Sequence, residues 1–578
     1  MADANHNSCP RSGAALPADA PAGHHPRCLR ERNRTVPQRG PSVLALSVIA
    51  ALLTIGGIGA TASQELDAAP KRAVIGSEVD DAGAHYKLGN ALKDQGKLEE
   101  AITAYREAIR LKPDFADAHY NLGLTLRAQG KLEEATAEFR TAIRLTPDDA
   151  DRHESLGAAL LAQGIRYEAA AEFRTAIRLK PDFAEAHCFL GNALLAQGKA
   201  AEAEAAYRTA VRLKPDFDES HYGLGNALLI KGKAAEAEAA YRAALKLKPD
   251  HSESHYGLGN ALSAKRKAAE AEAAYRTAVR LKPDFDESHY GLGNALLIKG
   301  KAAEAEAAYR AALKLKPDHS ESHYGLGNAL SAKRKAAEAE AAYRTAVRLK
   351  PDFALAHNNL AGTLVAQGKL EEAVAECRTA IRIKPDLANP HGFLGTALLR
   401  QGKLDGAIAE FRAAIRLEPD YALAHCFLGS ALAAQGKPKE AIAEFRKAIQ
   451  IKPDLAEAHC FLGSVLATQG KPEKAIAEFR TAIRIQPDYA EAHNNLGNAL
   501  HATGKPEEAI AEFRTAIRTK PDSAEAHYNL GNTLQDQGKP EEAIAEFRAA
   551  LKLKPDFAMD HNNLGNALHA TGKPEEAI

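Results

Sequence analysis

The chain is one short unit used over and over at a fixed spacing. The clearest copy, residues 524–557, reads AEAHYNLGNTLQDQGKPEEAIAEFRAALKLKPDF, and near copies follow one another from Ala82 to the last residue. Self-similarity at a period of this size restricts a chain to stacked supersecondary units, each too small to bury a core alone.

Within the unit, His527, Leu530, Gly531 and Leu534 share one arc at helical spacing, the packing face of a first helix. Gly538 supplies a left-handed stop. Pro540, Glu541 and Glu542 open a second helix, where proline and negative charge are both favoured. Ala543, Ile544, Phe547, Ala550 and Leu551 give that helix one apolar side. Arg548, Lys552 and Lys554 suit its C-terminal half, and Pro555 ends it. Small residues such as Gly531 and Ala543 let two helix backbones cross closely. The fold class expected is therefore all-α, built of helix–turn–helix units.

Leu530, Gly531, Ala543, Phe547, Ala550 and Pro555, at this period, resemble the tetratricopeptide repeat family. The resemblance implies a right-handed α-solenoid whose first helices line a concave groove. It covers residues 82–578, with units beginning at 82, 116, 150, 184, 218, 252, 286, 320, 354, 388, 422, 456, 490 and 524 and a partial fifteenth at Ala558. The leucine recurs from Leu88 to Leu564, the alanine from Ala101 to Ala577 and the proline from Pro113 to Pro555. Departures are His85 and its equivalents, where the family often has Trp, and Ala361 in place of the helix-crossing glycine.

Ahead of the array, residues 1–41 are rich in Pro, Ala, Gly and Arg without apolar period, and read as a disordered basic segment. Cys9, Cys28, His24 and His25 in it match no metal-ligand spacing. Residues 42–62, SVLALSVIAALLTIGGIGATA, carry no charge and just reach the ~20 apolar residues that span a bilayer. Two readings stand: a single-pass transmembrane signal anchor, or a signal peptide cleaved after the Ala60-Thr61-Ala62 signature, releasing a secreted chain. Both expect the repeats outside the cytoplasm, in the periplasm if the source is bacterial. Residues 63–81 form a polar linker, with Asp80 and Asp81 as N-cap candidates.

Residues 201–268 recur letter for letter at 269–336. In these copies Arg266 and Arg334 stand where Gly232 and Gly300 provide the turn, so two arginines are expected in a left-handed conformation. A formal net charge of zero gives no basic signal for nucleic acid. No nucleotide loop, nucleophile constellation or metal motif occurs, so no enzymatic activity and no cofactor are expected. The recurring histidines, His85 to His561, fall one per repeat and are read as packing residues. Cys188, Cys426 and Cys460 hold equivalent positions, and Cys377 replaces a helix Phe. Neighbouring equivalents stand about two helix diameters apart, ~18 Å, beyond the ~7 Å a disulfide allows. Free thiols are expected.

The candidate binding residues lie on the first helix. Glu525, Asn529, Asn532 and Asp536 fall opposite Leu530 and Leu534 on a helical wheel, and by the resemblance line the groove. One acidic position runs through Asp117, Asp151, Glu185, Glu219, Glu253, Glu287 and Glu321, either a solvated face or an attractor for basic peptide segments. One amide position carries Asn90, Asn192, Asn226, Asn260, Asn294, Asn328, Asn498, Asn532 and Asn566; a second carries Asn121, Asn359, Asn495, Asn529 and Asn563. Asn both donates and accepts, so a ladder of them suits an extended peptide backbone. This is similar to the asparagine ladder of O-GlcNAc transferases, which raises the alternative that the chain is the substrate-recognition half of such an enzyme. Phe189, Phe393, Phe427 and Phe461 replace Asn at the second position, as interface packing or as anchors for a partner. Tyr86, Tyr120 and Tyr222 stand where a carboxylate clamp would need basic residues. The expected function is a non-enzymatic scaffold for a protein or peptide partner, without nucleic acid and with membrane contact through residues 42–62.

Overall fold

The computed structural model describes residues 82–555 and 558–572. Among them are 29 α-helices and no strands. Each of the first 14 repeats pairs a first helix of 13 residues with a second of 14, as in Ala524–Asp536 and Pro540–Leu553. The helices fall into two compact units, residues 82–329 and 330–572. Away from the boundary between the units, a second helix packs both on its own first helix and on that of the next repeat, which is how hairpins too small for a core acquire one.

The hairpin turn is fixed by its glycine. Gly538 has φ +68°, its N–H donates to Gln535 O at 3.0 Å, and Lys539 N–H donates to Leu534 O at 2.9 Å. This pattern satisfies the last carbonyls of the first helix. Arg266 and Arg334 take the same role with φ 60° and 59°, as expected. Pro540 occupies the first turn of its helix, and Lys554 N–H closes the far end on Ala550 O at 2.8 Å.

The core follows the apolar arcs. Leu530, Leu534, Ala543, Phe547 and Ala550 are buried. A Cβ on Gly531 would lie 2.6 Å from Phe547 Cε1, so this glycine is required by the ring that rests on it. Repeat 9 shows the same rule inverted: Ala361 replaces the glycine, Cys377 replaces the ring, and both are fully buried in one core cluster. The four cysteines among the described residues are free and buried, as expected.

The single-pass membrane topology needs correction. No helix among the described residues is long and apolar enough to cross a membrane. The stretch 42–62 that suggested it has the composition of a span but lies outside the described residues, as do the basic segment, the linker and its N-cap aspartates. Placement of the repeats outside the cytoplasm therefore loses its basis.

Candidate functional site

The stripe opposite Leu530 and Leu534 is not uniformly open. In a stack, a first helix touches its own second helix, the second helix of the preceding repeat and the first helices on either side, so a wheel drawn for one helix on one neighbour understates burial. Asn192 and Asn226 are buried at 5% and 4% exposure, and Phe189 is buried.

The second helix decides the fate of the first amide position. Where its central ring is tyrosine, the hydroxyl donates to the asparagine of the same repeat's first helix: Tyr105 to Asn90 at 2.7 Å, Tyr207 to Asn192 at 2.6 Å, and Tyr241, Tyr275 and Tyr309 to Asn226, Asn260 and Asn294 at 2.7 Å each. Asn328 and Tyr343 hold the same two positions in repeat 8. Burial pushes the Tyr207, Tyr241 and Tyr309 phenols well above their usual range, so they remain donors. In repeats 13 and 14 the ring is Phe513 or Phe547 and has no hydroxyl to give. Asn498 is exposed there, Asn532 is half-buried, and Asn566 in repeat 15 is exposed.

The second amide position links consecutive first helices. Asn121 Nδ2 donates to Tyr86 OH at 2.8 Å. Asn495 reaches Ser464 Oγ at 3.3 Å. Asn529 donates to Asn494 Oδ1 at 3.0 Å, and Asn563 to Asn532 Oδ1 at 2.7 Å. Asn359 accepts instead within its own helix, from Asn358 at 3.0 Å. Asn494 and Asn358, both buried, were missed in the sequence because their positions hold Tyr, Cys, Gly or Glu elsewhere. Around the last links lies a depression of about 360 Å³ lined by His501, Asn532, Gln535, Asp536 and Asn563, with His501 Nε2 3.3 Å from Asp536 Oδ2.

The phenylalanines rest on the preceding repeat. Phe189 lies 5.9 Å from Phe173, Phe427 stacks on Phe411 at 6.1 Å, and Phe461 lies 6.0 Å from Phe445 between ring centroids. Phe393 approaches Gly362 in repeat 9, where Cys377 leaves no ring to meet. Phe393, Phe427 and Phe461 are half-buried against the core. All four thus contact the preceding repeat.

The acidic position divides by its partners. Asp117 pairs with buried Arg152 at 2.6 Å, Glu185 with Lys214 at 2.7 Å and Glu253 with Lys282 at 3.0 Å. Burial raises Glu219 to about 7, with Asp218 adding to the shift. Glu287 also rises to about 7, through burial and then its bond to Asp286. Two further groups that the sequence did not single out, Glu154 and Glu491, are raised to about 7 by burial.

These features define a class: an all-helical solenoid of stacked hairpins whose first helices carry a polar, amide-bearing face. Family models described as tetratricopeptide repeats match residues 154–320, 324–388 and 394–456 through one model, 89–164 and 463–538 through a second described as TPR repeat, and 524–557 through a third. The chain belongs to the tetratricopeptide repeat family. No curated protein matches it. Similar solved structures include the crystal structure of the APC/C hetero-tetramer Cut9–Hcn1, at 14% identity and TM-score 0.41 over 84% of this chain and 96% of that one. Another is YrrB, described as a TPR protein with an unusual peptide-binding site, at 26% identity and TM-score 0.27 over 34% of this chain and 97% of that one. The likeness to O-GlcNAc transferases gains no support from these relatives.

Proposed function

We propose that the chain is a non-enzymatic scaffold that holds an extended polypeptide on its first-helix face, and that repeats 13 and 14 are the part that grips it. The observation that carries this is the contrast between the two kinds of amide. Asn90, Asn192, Asn226, Asn260 and Asn294 already accept a tyrosine hydroxyl from their own repeat. Asn498 is exposed, and Asn532, whose oxygen accepts from Asn563 of the next repeat rather than from a tyrosine, borders a polar depression. Amides one repeat apart offer donor and acceptor at a regular interval to a peptide backbone. The carboxylates of Glu219, Glu287 and Glu491 are kept partly protonated by burial. They favour a partner whose lysines or arginines restore their charge.

The test is a random array of immobilised peptides probed with the full chain. Peptides captured by the parent are lost by Asn498→Ala and Asn532→Ala combined, with unchanged melting. Capture that survives the double substitution rejects repeats 13 and 14 as the gripping face.

A further inference from the structure

The residue before the central ring of the second helix divides the repeats into two kinds. It is glutamate in repeats 2–3 and 9–14, as Glu138 is to His119, whereas repeats 1 and 4–8 have Ala there. The division coincides with the identity of the ring itself. The Glu repeats carry Phe or Cys377, and the Ala repeats carry the tyrosine that bonds to asparagine. Each kind therefore has one polar brace between its two helices, neutral in one and ionisable in the other.

In repeats 2–3, 9 and 11–13 the ionisable brace places an acceptor at both ring nitrogens. His119 Nδ1 lies 2.5 Å from Glu138 Oε2 and its Nε2 lies 3.1 Å from Pro113 O. His153 meets Glu172 at 2.6 Å and Pro147 O at 3.0 Å, and His493 meets Glu512 at 2.5 Å and Pro487 O at 3.1 Å. His357, His425 and His459 repeat the arrangement with Glu376, Glu444 and Glu478 and with the carbonyls of Pro351, Pro419 and Pro453. A neutral imidazole has one N–H and can satisfy only one of two acceptors; both are satisfied by the imidazolium alone. By contrast His187, His221, His255, His289 and His323 use Nε2 on the proline carbonyl and have alanine at the carboxylate's position.

We propose that repeats 2, 9 and 13 are locked by a bound proton shared between the first-helix histidine and the second-helix glutamate, so that these repeats loosen on mild alkalinisation while repeats 4–8 do not. The groups facing the ring are the glutamate and, opposing it, an arginine from the repeat's own second helix (Glu138 and Arg144 for His119, Glu376 and Arg382 for His357, Glu512 and Arg518 for His493), with the proline carbonyl from the end of the preceding repeat. The Glu138 bond raises His119 above its ordinary 6.5. At His357 and His493 burial is the largest influence and acts downward, but the carboxylate and carbonyl together outweigh it. A histidine raised on folding gives stability that is complete below its unfolded value and lost as pH rises through the folded one.

The experiment uses the full chain at pH 6 and pH 9, read by hydrogen exchange corrected for intrinsic rate. Protection in Ala116–Ala128, Ala354–Ala366 and Ala490–Ala502 falls at pH 9, and that in Asp218–Ile230 holds. Nitrogen-15 spectra at pH 7 show both nitrogens of His119 and His493 protonated, with midpoints above 6.5 that Glu138→Gln and Glu512→Gln bring down. Equal loss in both kinds of repeat, or a neutral tautomer at these rings at pH 7, overturns the proposal. Phe513→Tyr beside Asn498 supplies the neutral brace and restores protection of repeat 13 at pH 9; failure to do so, with the repeat folded at pH 6, also counts against it.

Discussion

The Tyr207 hydroxyl donates a 2.6 Å hydrogen bond to Asn192 Oδ1, and both side chains are buried. The pair explains why an asparagine drawn on the outside of a helical wheel lies inside the stack. It also ties the first helix of the repeat to the second, so one substitution in either helix is felt in the other.

Tyr207→Phe leaves the Asn192 oxygen without its donor and costs about 1–3 kcal/mol, the penalty of a buried unsatisfied polar group. Adding Asn192→Leu, the combination of Leu124 with Phe139 in repeat 2, recovers much of the loss. Hydrogen exchange in Ala184–Ala196 and Ala200–Leu213 reads the local effect, which a global melt of a repeat array would average.

Gly531→Ala drives a methyl group into Phe547 and costs roughly 1–3 kcal/mol as overpacking. Phe547→Cys in the same chain relieves it, reproducing the Ala361 and Cys377 pair. Urea denaturation of the single and double variants checks the sign: the double variant is expected to be more stable than the sum of the two single losses.

Arg266→Gly and Arg334→Gly each stabilise by about 1 kcal/mol, because a left-handed backbone disfavours any side chain with a Cβ. Slower exchange at Lys267 and Lys335, the residues after each turn, is the expected reading.

A buried acid gives repeats 4–8 an opposite pH weakness. Lys231, then Lys233 and Arg208, hold Glu204 at about 2, and Glu238 and Glu272 are likewise lowered, chiefly by Lys265 and Lys299 of the following turns. A depressed carboxyl gives stability that is present above the unfolded value of 4.5 and lost as pH falls through about 2. Exchange between pH 4.5 and 2 is expected to accelerate in Ala200–Leu213, and Glu204→Gln removes that dependence.

Phe427→Ala tests what the half-buried phenylalanines do. Its ring stacks on Phe411, so its loss is expected to cost about 2 kcal/mol of stability by lost burial. A loss of peptide capture at unchanged stability would instead mark it as a partner's anchor.

The period, the helix types and the core were legible because they depend on residues within one hairpin: Leu530, Phe547 and Gly538 announce them. The left-handed arginines were legible for the same reason. The condition of the amides was not, because Asn192 and Asn498 look alike until the facing ring of the second helix is read as tyrosine or phenylalanine. The burial of Phe189 stayed one of two open readings, since it depends on Phe173 in the previous repeat. The apolar segment at residues 42–62 invited a topology that no described helix supports, because hydropathy alone speaks of a segment and not of the array behind it.

Repeats 13 and 14 are proposed to bind through asparagines that receive no tyrosine hydroxyl from their own second helix. The decisive variant carries Phe513→Tyr together with Phe547→Tyr, and the quantity read is its capture of array-selected peptides. Weaker capture by a chain at least as stable as the parent is expected, since the new hydroxyls occupy Asn498 and Asn532. Undiminished capture by that stable variant would refute the proposal.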